Sequence, residues 1–380
     1  MLRKYIKSLV LSNDITKSLY FKTLGKKAFG LIKVSDLNEY LEQANKVTLD
    51  YKPDIKVGLV VIDTHYSDLG YVKLRDYRPK YERFLKNNNI DYEYYNPLKS
   101  NWLEESKRFD LIIWYTHSDP CTQEIAESKI YILEKLGIKC YPSFDEIWSY
   151  EHKIRANYLY ELYNLPTIPT FITHSEKEAI NYLNNTSFPL ISKISTGSAS
   201  KGVEKINNIQ QGLQVVMQSF SDTGKPTYFK YQNQKNYVYF QDFIEDADYD
   251  LRIICINNEF FGYYRYPNEG DFRASGAGNY EKKEIPAEAL DLAHEVRIKF
   301  GATSLATDLV FSKRLNKFLI IESSIFIGVD SCEQLSIDGV AGKYVRKSDG
   351  SYDFIKGKYW IQELTLRSFI EHHYKKLNSI

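Results

Sequence analysis

The residues best placed to do chemistry here are a lysine ahead of a glycine loop and two acids on a hairpin. Lys193 sits in a short apolar run (Phe188, Leu190, Ile191, Ile194) that breaks into Thr196-Gly197-Ser198-Ala199-Ser200-Lys201-Gly202. Small residues let backbone N–H groups turn toward phosphate oxygens, and the ammonium adds a point charge, so the stretch suits a polyphosphate. It is not a Walker loop, since no Lys-Ser or Lys-Thr follows its last glycine. A flexible turn between two strands accounts for the same residues. Farther on, Leu305–Ser324 reads as two β-rich runs joined by a polar turn. A turn centred on Leu315 sets Asp308 opposite Glu322, in phase with Ala306, Val310, Phe318 and Ile320. Side chains directly opposed on a hairpin lie about 4.5–5.5 Å apart at Cβ, and like charges there repel. The pair therefore calls for a cation, and carboxylate oxygens completed by substrate phosphates describe a nucleotide-bound Mg²⁺. A bulge that shifts the register and leaves one acid facing solvent is the rival reading.

The elements that must hold these groups follow from the rest of the chain. Its 380 residues are enough for two or three domains with proper cores. The 50 basic and 49 acidic residues nearly cancel, which argues against a nucleic acid as the main partner. Cys121, Cys140, Cys255 and Cys332 lie far apart, so neither a zinc site nor a disulfide framework is indicated, and a cytoplasmic location is expected. No apolar run is long enough to span a bilayer, and no signal-peptide pattern opens the chain.

Residues 1–52 carry helical periodicity and many lysines, an N-terminal arm that would be solvated or lie on a membrane or partner subunit. From Lys56 strands alternate with helices: strands at Val57–Asp63, Ile90–Tyr95, Phe109–Tyr115 and Ile138–Tyr141, helices at Tyr71–Asn87 and Thr122–Leu136. That alternation predicts a parallel α/β sheet over 53–142, and the second helix places Ile125, Lys129, Ile132, Leu133 and Leu136 near one face. An α+β segment over 143–245 contains helices at Glu151–Tyr163, Ser175–Asn184 and Asn208–Phe220 around the Lys193 strand. The last segment, 246–380, has a hairpin about Asn257-Asn258, a helix at Ile285–Phe300, the acidic hairpin and a final helix near Trp360–Lys376.

Taken in order, Lys153, Lys193 with its loop, Gln241-Asp242-Phe243-Ile244-Glu245, Asp250-Leu251-Arg252, Gly270-Asp271-Phe272-Arg273-Ala274-Ser275 and the Asp308/Glu322 hairpin resemble the ATP-grasp superfamily. The branch looks similar to the ribosomal-protein glutamate ligases, with glutathione synthetase and D-alanine–D-alanine ligase as wider relatives. The resemblance implies two α+β lobes enclosing a nucleotide behind a Rossmann-like first domain. It implies ATP contacts from Lys153, Lys193, Gly197, Ser198, Ser200, Gly202, Asp242, Phe243, Ile244, Asp250 and Arg273. Lys193 and Arg273 would serve the phosphate in transfer, and Asp308, Glu322 and Ser324 would hold Mg²⁺ or Mn²⁺. Two positions depart from the family pattern: serine replaces asparagine at Ser275 and at Ser324.

The implied reaction is ATP-dependent ligation of a small-molecule or peptide carboxylate to an amine through an acyl phosphate. Arg252 and Arg265 are candidates for the acceptor's carboxylate, with salt bridges as the alternative. A kinase acting on a small molecule or glycan and a nucleotide-binding scaffold without turnover remain as other readings, and a homodimer is left open.

Overall fold

The computed structural model describes residues 30–62, 70–197 and 202–375. Most of the expected N-terminal arm lies outside these residues, as do Ser198 and Ser200 of the glycine loop. Residues 30–52 hold a strand, Leu31–Lys33, and a five-residue helix, Leu37–Leu41, in place of a long helical arm. The chain divides into two compact units, Met1–Tyr115 with Gly328–Glu333 and Gly357–Ile380, and Thr116–Ile327 with Gln334–Lys356. This division is coarser than the four segments read from the sequence, and it returns the last stretch of the chain to the first unit.

In the first unit, β1 (Lys56–Val60) lies between β2 (Asp91–Tyr95) and β3 (Leu111–Ile113), parallel to both. Val57, Leu59, Leu111, Ile112 and Ile113 are buried, as near-continuous apolar runs are in a parallel sheet. Helix α1 (Arg78–Asn87) begins later than Tyr71, because Tyr71–Lys73 is a strand and Pro79 fixes the helix start. Arg83 of α1 forks onto Glu363 of the helix Ile361–Tyr374 at 2.7 and 2.9 Å. Trp360, just ahead of that helix, donates its indole N–H to the Leu41 carbonyl at 3.0 Å.

The second unit opens with α2 (Pro120–Lys135), capped by the Asp119 side chain. Its buried residues are Ala126, Ile130 and Leu133, whereas Ile125, Ile132 and Leu136, which the sequence places near one face with Leu133, are exposed. The helix carries two apolar stripes, and periodicity alone does not say which one a neighbour covers. Next come α3 (Lys153–Leu162), β4 (Thr170–Thr173), α4 (Glu176–Asn185), β5 (Leu190–Lys193), β6 (Val203–Ile206), α5 (Ile209–Ser219) and β7 (Val238–Asp242). The four strands form one antiparallel sheet, ordered β4-β7-β5-β6. Ala179 and Leu183 of α4 and Val215 and Val216 of α5 pack with Leu190 and Phe240 of that sheet.

A larger antiparallel sheet follows, built on β8 (Asp250–Ile256), β9 (Glu259–Tyr266), β10 (Ser304–Ser312) and β11 (Lys317–Ser324), with α6 (Ala287–Lys299) preceding β10. The order is β11-β10-β8-β9, so β8 has β10 as well as its hairpin partner β9 for neighbours. Asp308 does face Glu322 across β10 and β11, yet Leu309 faces Ile320, which leaves Ile321 as the extra residue of a β-bulge. The bulge corrects the expected phase: Leu319, rather than Phe318 or Ile320, lies opposite Val310. Val310 and Leu319 pack with Ile168, and Ile244 and Ile321 lie against them. Among the described residues no helix is long and apolar enough to cross a membrane.

Candidate active site

The small and large sheets of the second unit line a cavity of about 520 Å³. Its wall includes the apolar Ile168, Ile191, Val203, Ile244, Val310 and Ile321. It also includes Lys153, Lys193, Asp250, Arg265, Asp308 and Glu322, with Arg273 and Ser275 from the loop after β9. Apolar surface together with convergent cations and carboxylates suits a nucleotide, which has a base to cover and phosphates to neutralise.

Lys193 closes β5 and is 5% exposed. Its Nζ donates to Gln241 Oε1 at 2.7 Å, and Gln241 in turn donates to Thr170 Oγ1 at 3.0 Å. Burial pulls the Lys193 ammonium down to about 8, although Glu322 opposes the shift. Lys153, the first residue of α3, donates to the Gly197 carbonyl at 2.6 Å and stands 3.8 Å from Glu322. The Lys153 backbone N–H also bonds the Ser195 carbonyl at 2.7 Å, so the start of α3 is stitched to the near side of the glycine loop. At the far side the Ile194 N–H meets the Gly202 carbonyl at 3.1 Å. Gly202 has φ +74 and a Cβ there would run into the Ile194 side chain, so glycine is required on two counts.

Asp308, 2% exposed, is clasped by two arginines. Arg252 donates Nε to Oδ1 and Nη2 to Oδ2, both at 2.7 Å, and Arg265 Nη2 reaches Oδ2 at 2.6 Å. Arg265 also bonds Asp250 through Nε. Burial alone would raise the Asp308 carboxyl, but Arg252 and then Arg265 hold it well below the usual range. Burial raises that of Asp250, against the pull of Arg265. The strand register explains the clasp: Arg252 faces Asp308 across β8 and β10, and Asp250 faces Arg265 across β8 and β9.

These contacts bear on the roles expected from the sequence. Arg252 and Arg265 are committed to Asp308 and are not presented as open forks for an acceptor carboxylate; Arg252 is not part of the cavity wall. Arg273 is exposed and pairs with Asp271 at 2.8 Å, which holds the Asp271 carboxyl down to about 2. Asp242, Phe243 and Ile244 line the cavity, and Lys205 Nζ lies 3.8 Å from the centre of the Phe243 ring. Ser324 is outside the wall and directs its hydroxyl toward the Phe326 carbonyl (3.0 Å) and Glu151 Oε1 (3.4 Å). Burial pushes the Glu151 carboxyl up to about 7. Lys205 and Glu151 carry no role in the sequence reading, and Gln241 enters it only as part of its motif. Gln241 stands directly before the acid that was singled out, whereas nothing local marks the other two.

The donor set fits a hard divalent cation. A carboxylate offers about four lone-pair positions; hydrogen bonds from described residues take one on Asp308 Oδ1 and two on Oδ2, so Oδ1 keeps one open. Glu322 has Lys153 for its ion-pair partner, at the long distance of 3.8 Å. Among the described residues no group of three or more His, Cys, Asp and Glu could hold a metal alone. A cation here would thus share its oxygens with a nucleotide, the usual arrangement for Mg²⁺.

Comparison with known proteins agrees with this geometry. The alpha-aminoadipate–LysW ligase LysX of Saccharolobus solfataricus is 29% identical over 196 residues, 50% of this chain and 67% of that protein. The D-alanine–D-alanine ligase of Bacillus anthracis shares the fold, with a TM-score of 0.52 at 12% identity over 72% of this chain and 88% of that one. So does an ATP-grasp RimK domain protein of Sphaerobacter thermophilus, with a TM-score of 0.50 at 13% identity over 72% and 92%. A family model for the RimK-like ATP-grasp domain matches residues 151–346, just over half the chain and the whole of the cavity described above. The chain belongs to the RimK-like ATP-grasp family.

Proposed function

We propose that the protein is an ATP-dependent carboxylate–amine ligase whose phosphate end is built on Lys153, Lys193, Asp308 and Glu322. The observation that carries this reading is the opposition of Asp308 and Glu322 in one cavity with both lysines and apolar wall residues. In the first step a carboxylate oxygen attacks the γ-phosphorus, the bond to the β–γ bridging oxygen breaks, and ADP leaves. The amine lone pair then attacks the acyl carbon, phosphate departs, and the amine proton passes to solvent. Asp308 and Glu322, with Ser324 on the same strand as Glu322, would hold Mg²⁺, which would supply positive charge at the phosphate end of the site. Lys193, fixed by Gln241, presents its charge to the phosphate oxygens without having to reorganise. Lys153 ties Gly197, where the glycine loop begins, to α3. Arg273 must leave Asp271 to reach a phosphate, and an exposed pair of this kind is held by no more than about 1 kcal/mol.

The known relative's name specifies an amino acid as a substrate, and we place the acid used here among amino-acid or peptide carboxylates. Incubation with ATP, Mg²⁺, candidate carboxylates and hydroxylamine should yield hydroxamate together with ADP. A phosphorylated hydroxyl product would mark a kinase instead. Nucleotide binding with no ADP release under any acid would mark a scaffold, the reading that serine at 275 and 324 favours.

The depressed Lys193 ammonium gives a pH test of the nucleotide assignment. Near pH 9 the free protein holds Lys193 largely neutral, since its pKa is about 8, and phosphates would recharge it. Nucleotide binding there should take up close to one proton, and near pH 6.5 this lysine should contribute no uptake. Calorimetric titration with ADP and Mg²⁺ in buffers of different ionisation enthalpy reads the number directly. An identical proton count from pH 7 to 9 would remove Lys193 from the phosphate site.

A further inference from the structure

Glu151 occupies a position that favours glycine. It follows the C-cap Tyr150 of the helix Phe144–Ser149 and has φ +51. The residue after a helix C-cap often adopts this left-handed conformation, usually as glycine. Every other non-glycine residue with positive φ among those described is an asparagine or aspartate: Asn89, Asn164, Asn236, Asn257, Asn316 and Asp338. Those short side chains tolerate the conformation, and a glutamate gains no such local relief. The backbone is fixed on its far side as well, since His152 bridges Thr196 and Lys153 bonds Ser195. A strained residue held by its surroundings invites the question of what its side chain does.

Its side chain reaches β11. Oε1 accepts from Ser324 Oγ at 3.4 Å, and the neighbouring charges that act on it are Lys153, Glu322 and Arg252. Ser324 lies on the Glu322 face of β11, two residues on and past the bulge. A serine hydroxyl has one proton and two lone pairs. The Phe326 carbonyl at 3.0 Å and Glu151 Oε1 at 3.4 Å both draw on that proton, which leaves the oxygen's lone pairs for whatever Glu322 and Asp308 hold.

We propose that Glu151 is a positioning residue for the bound cation, acting through Ser324: together with the Phe326 carbonyl it engages the hydroxyl hydrogen and so orients the oxygen as a neutral donor beside the two carboxylates. The inference rests on the reading of Asp308 and Glu322 as a cation site. Glycine at 151 keeps the backbone and removes the carboxylate, so Glu151→Gly separates position from strain.

The test is Mn²⁺ affinity of the full chain in its ADP complex, followed by electron paramagnetic resonance without turnover, with melting temperature in parallel. Glu151→Gly should weaken Mn²⁺ binding about tenfold, the loss typical when a group that orients a metal ligand is removed, and melt at or above the wild-type temperature. Ser324→Ala should cause a similar loss, and adding Glu151→Gly to it should change affinity little further, because the two act as one unit. Unchanged affinity in Glu151→Gly overturns the proposal. So does a second full loss in the double variant, since the carboxylate would then act through space and not through Ser324. Glu322→Gln serves as the control: if it leaves Mn²⁺ affinity intact, the cation site itself is wrong. If it weakens binding while Glu151→Gly does not, only the role of Glu151 falls.

Discussion

Replacing Asp308 with asparagine is expected to abolish ADP formation and, in the same variant, to lower the melting temperature. Loss of a charge that stabilises phosphate transfer costs on the order of 10²–10³ in turnover. The structural penalty arises because Asp308 is also the counter-ion of two arginines, one of them 3% exposed. Removing one member of a buried ion pair costs roughly 3–5 kcal/mol. In a unit of this size that is on the order of 10 °C in melting temperature. Glu322→Gln should show the first effect without the second, since Glu322 is half-exposed and its nearest cation is 3.8 Å away. Turnover assays and calorimetry on both variants decide the matter. Activity near wild type in Glu322→Gln would end the cation assignment, and an unshifted melting temperature in Asp308→Asn would mean that the arginine clasp contributes nothing.

Lys193→Met should have the opposite signature, with nucleotide affinity falling about a hundredfold while stability holds or rises. The ammonium is buried against a neutral amide, not a carboxylate, so folding without nucleotide must desolvate a charge and gain little in return. Substituting apolar groups for buried ionic ones of similar volume is neutral or stabilising by about 1–4 kcal/mol. The sign of the pH dependence follows from the lowered pKa. Between about 8 and the ordinary value of 10.5 the unfolded chain binds more protons, so wild-type stability rises with pH across that window. The advantage of the methionine variant should therefore be largest below pH 8 and shrink toward pH 10. A variant that melts well below wild type at pH 7 would show that Lys193 is a structural residue and not a charge kept for a ligand.

Much of this site could be read from the sequence because it depends on local pattern. The Lys193 strand, the loop after it and the Asp308/Glu322 hairpin each lie within some twenty residues, where alternation and turn chemistry govern. The same local logic gave the right acid pair for an incomplete reason: the opposition of Asp308 and Glu322 depends on the extra residue Ile321, which a two-fold alternation does not reveal. The sequence leaves Arg252 and Arg265 open between an acceptor carboxylate and salt bridges, because the pairing of β8 with β10 skips the strands and helix between them and no local signal reports it. Glu151 was illegible for a similar reason, since its partner Ser324 is 173 residues away. On α2, amphipathicity identified apolar positions, but which stripe is buried was decided by neighbours elsewhere in the chain.

The pairing of Arg83 with Glu363 has a consequence for how the polypeptide matures. Synthesis runs from the N-terminus, so the first unit's strands and α1 leave the ribosome long before the helix Ile361–Tyr374 is made. Until then Arg83 lacks its fork and Leu41 lacks the indole of Trp360. The second unit has all its parts by residue 356. The first unit, begun earlier, should thus be the later of the two to acquire its last segment.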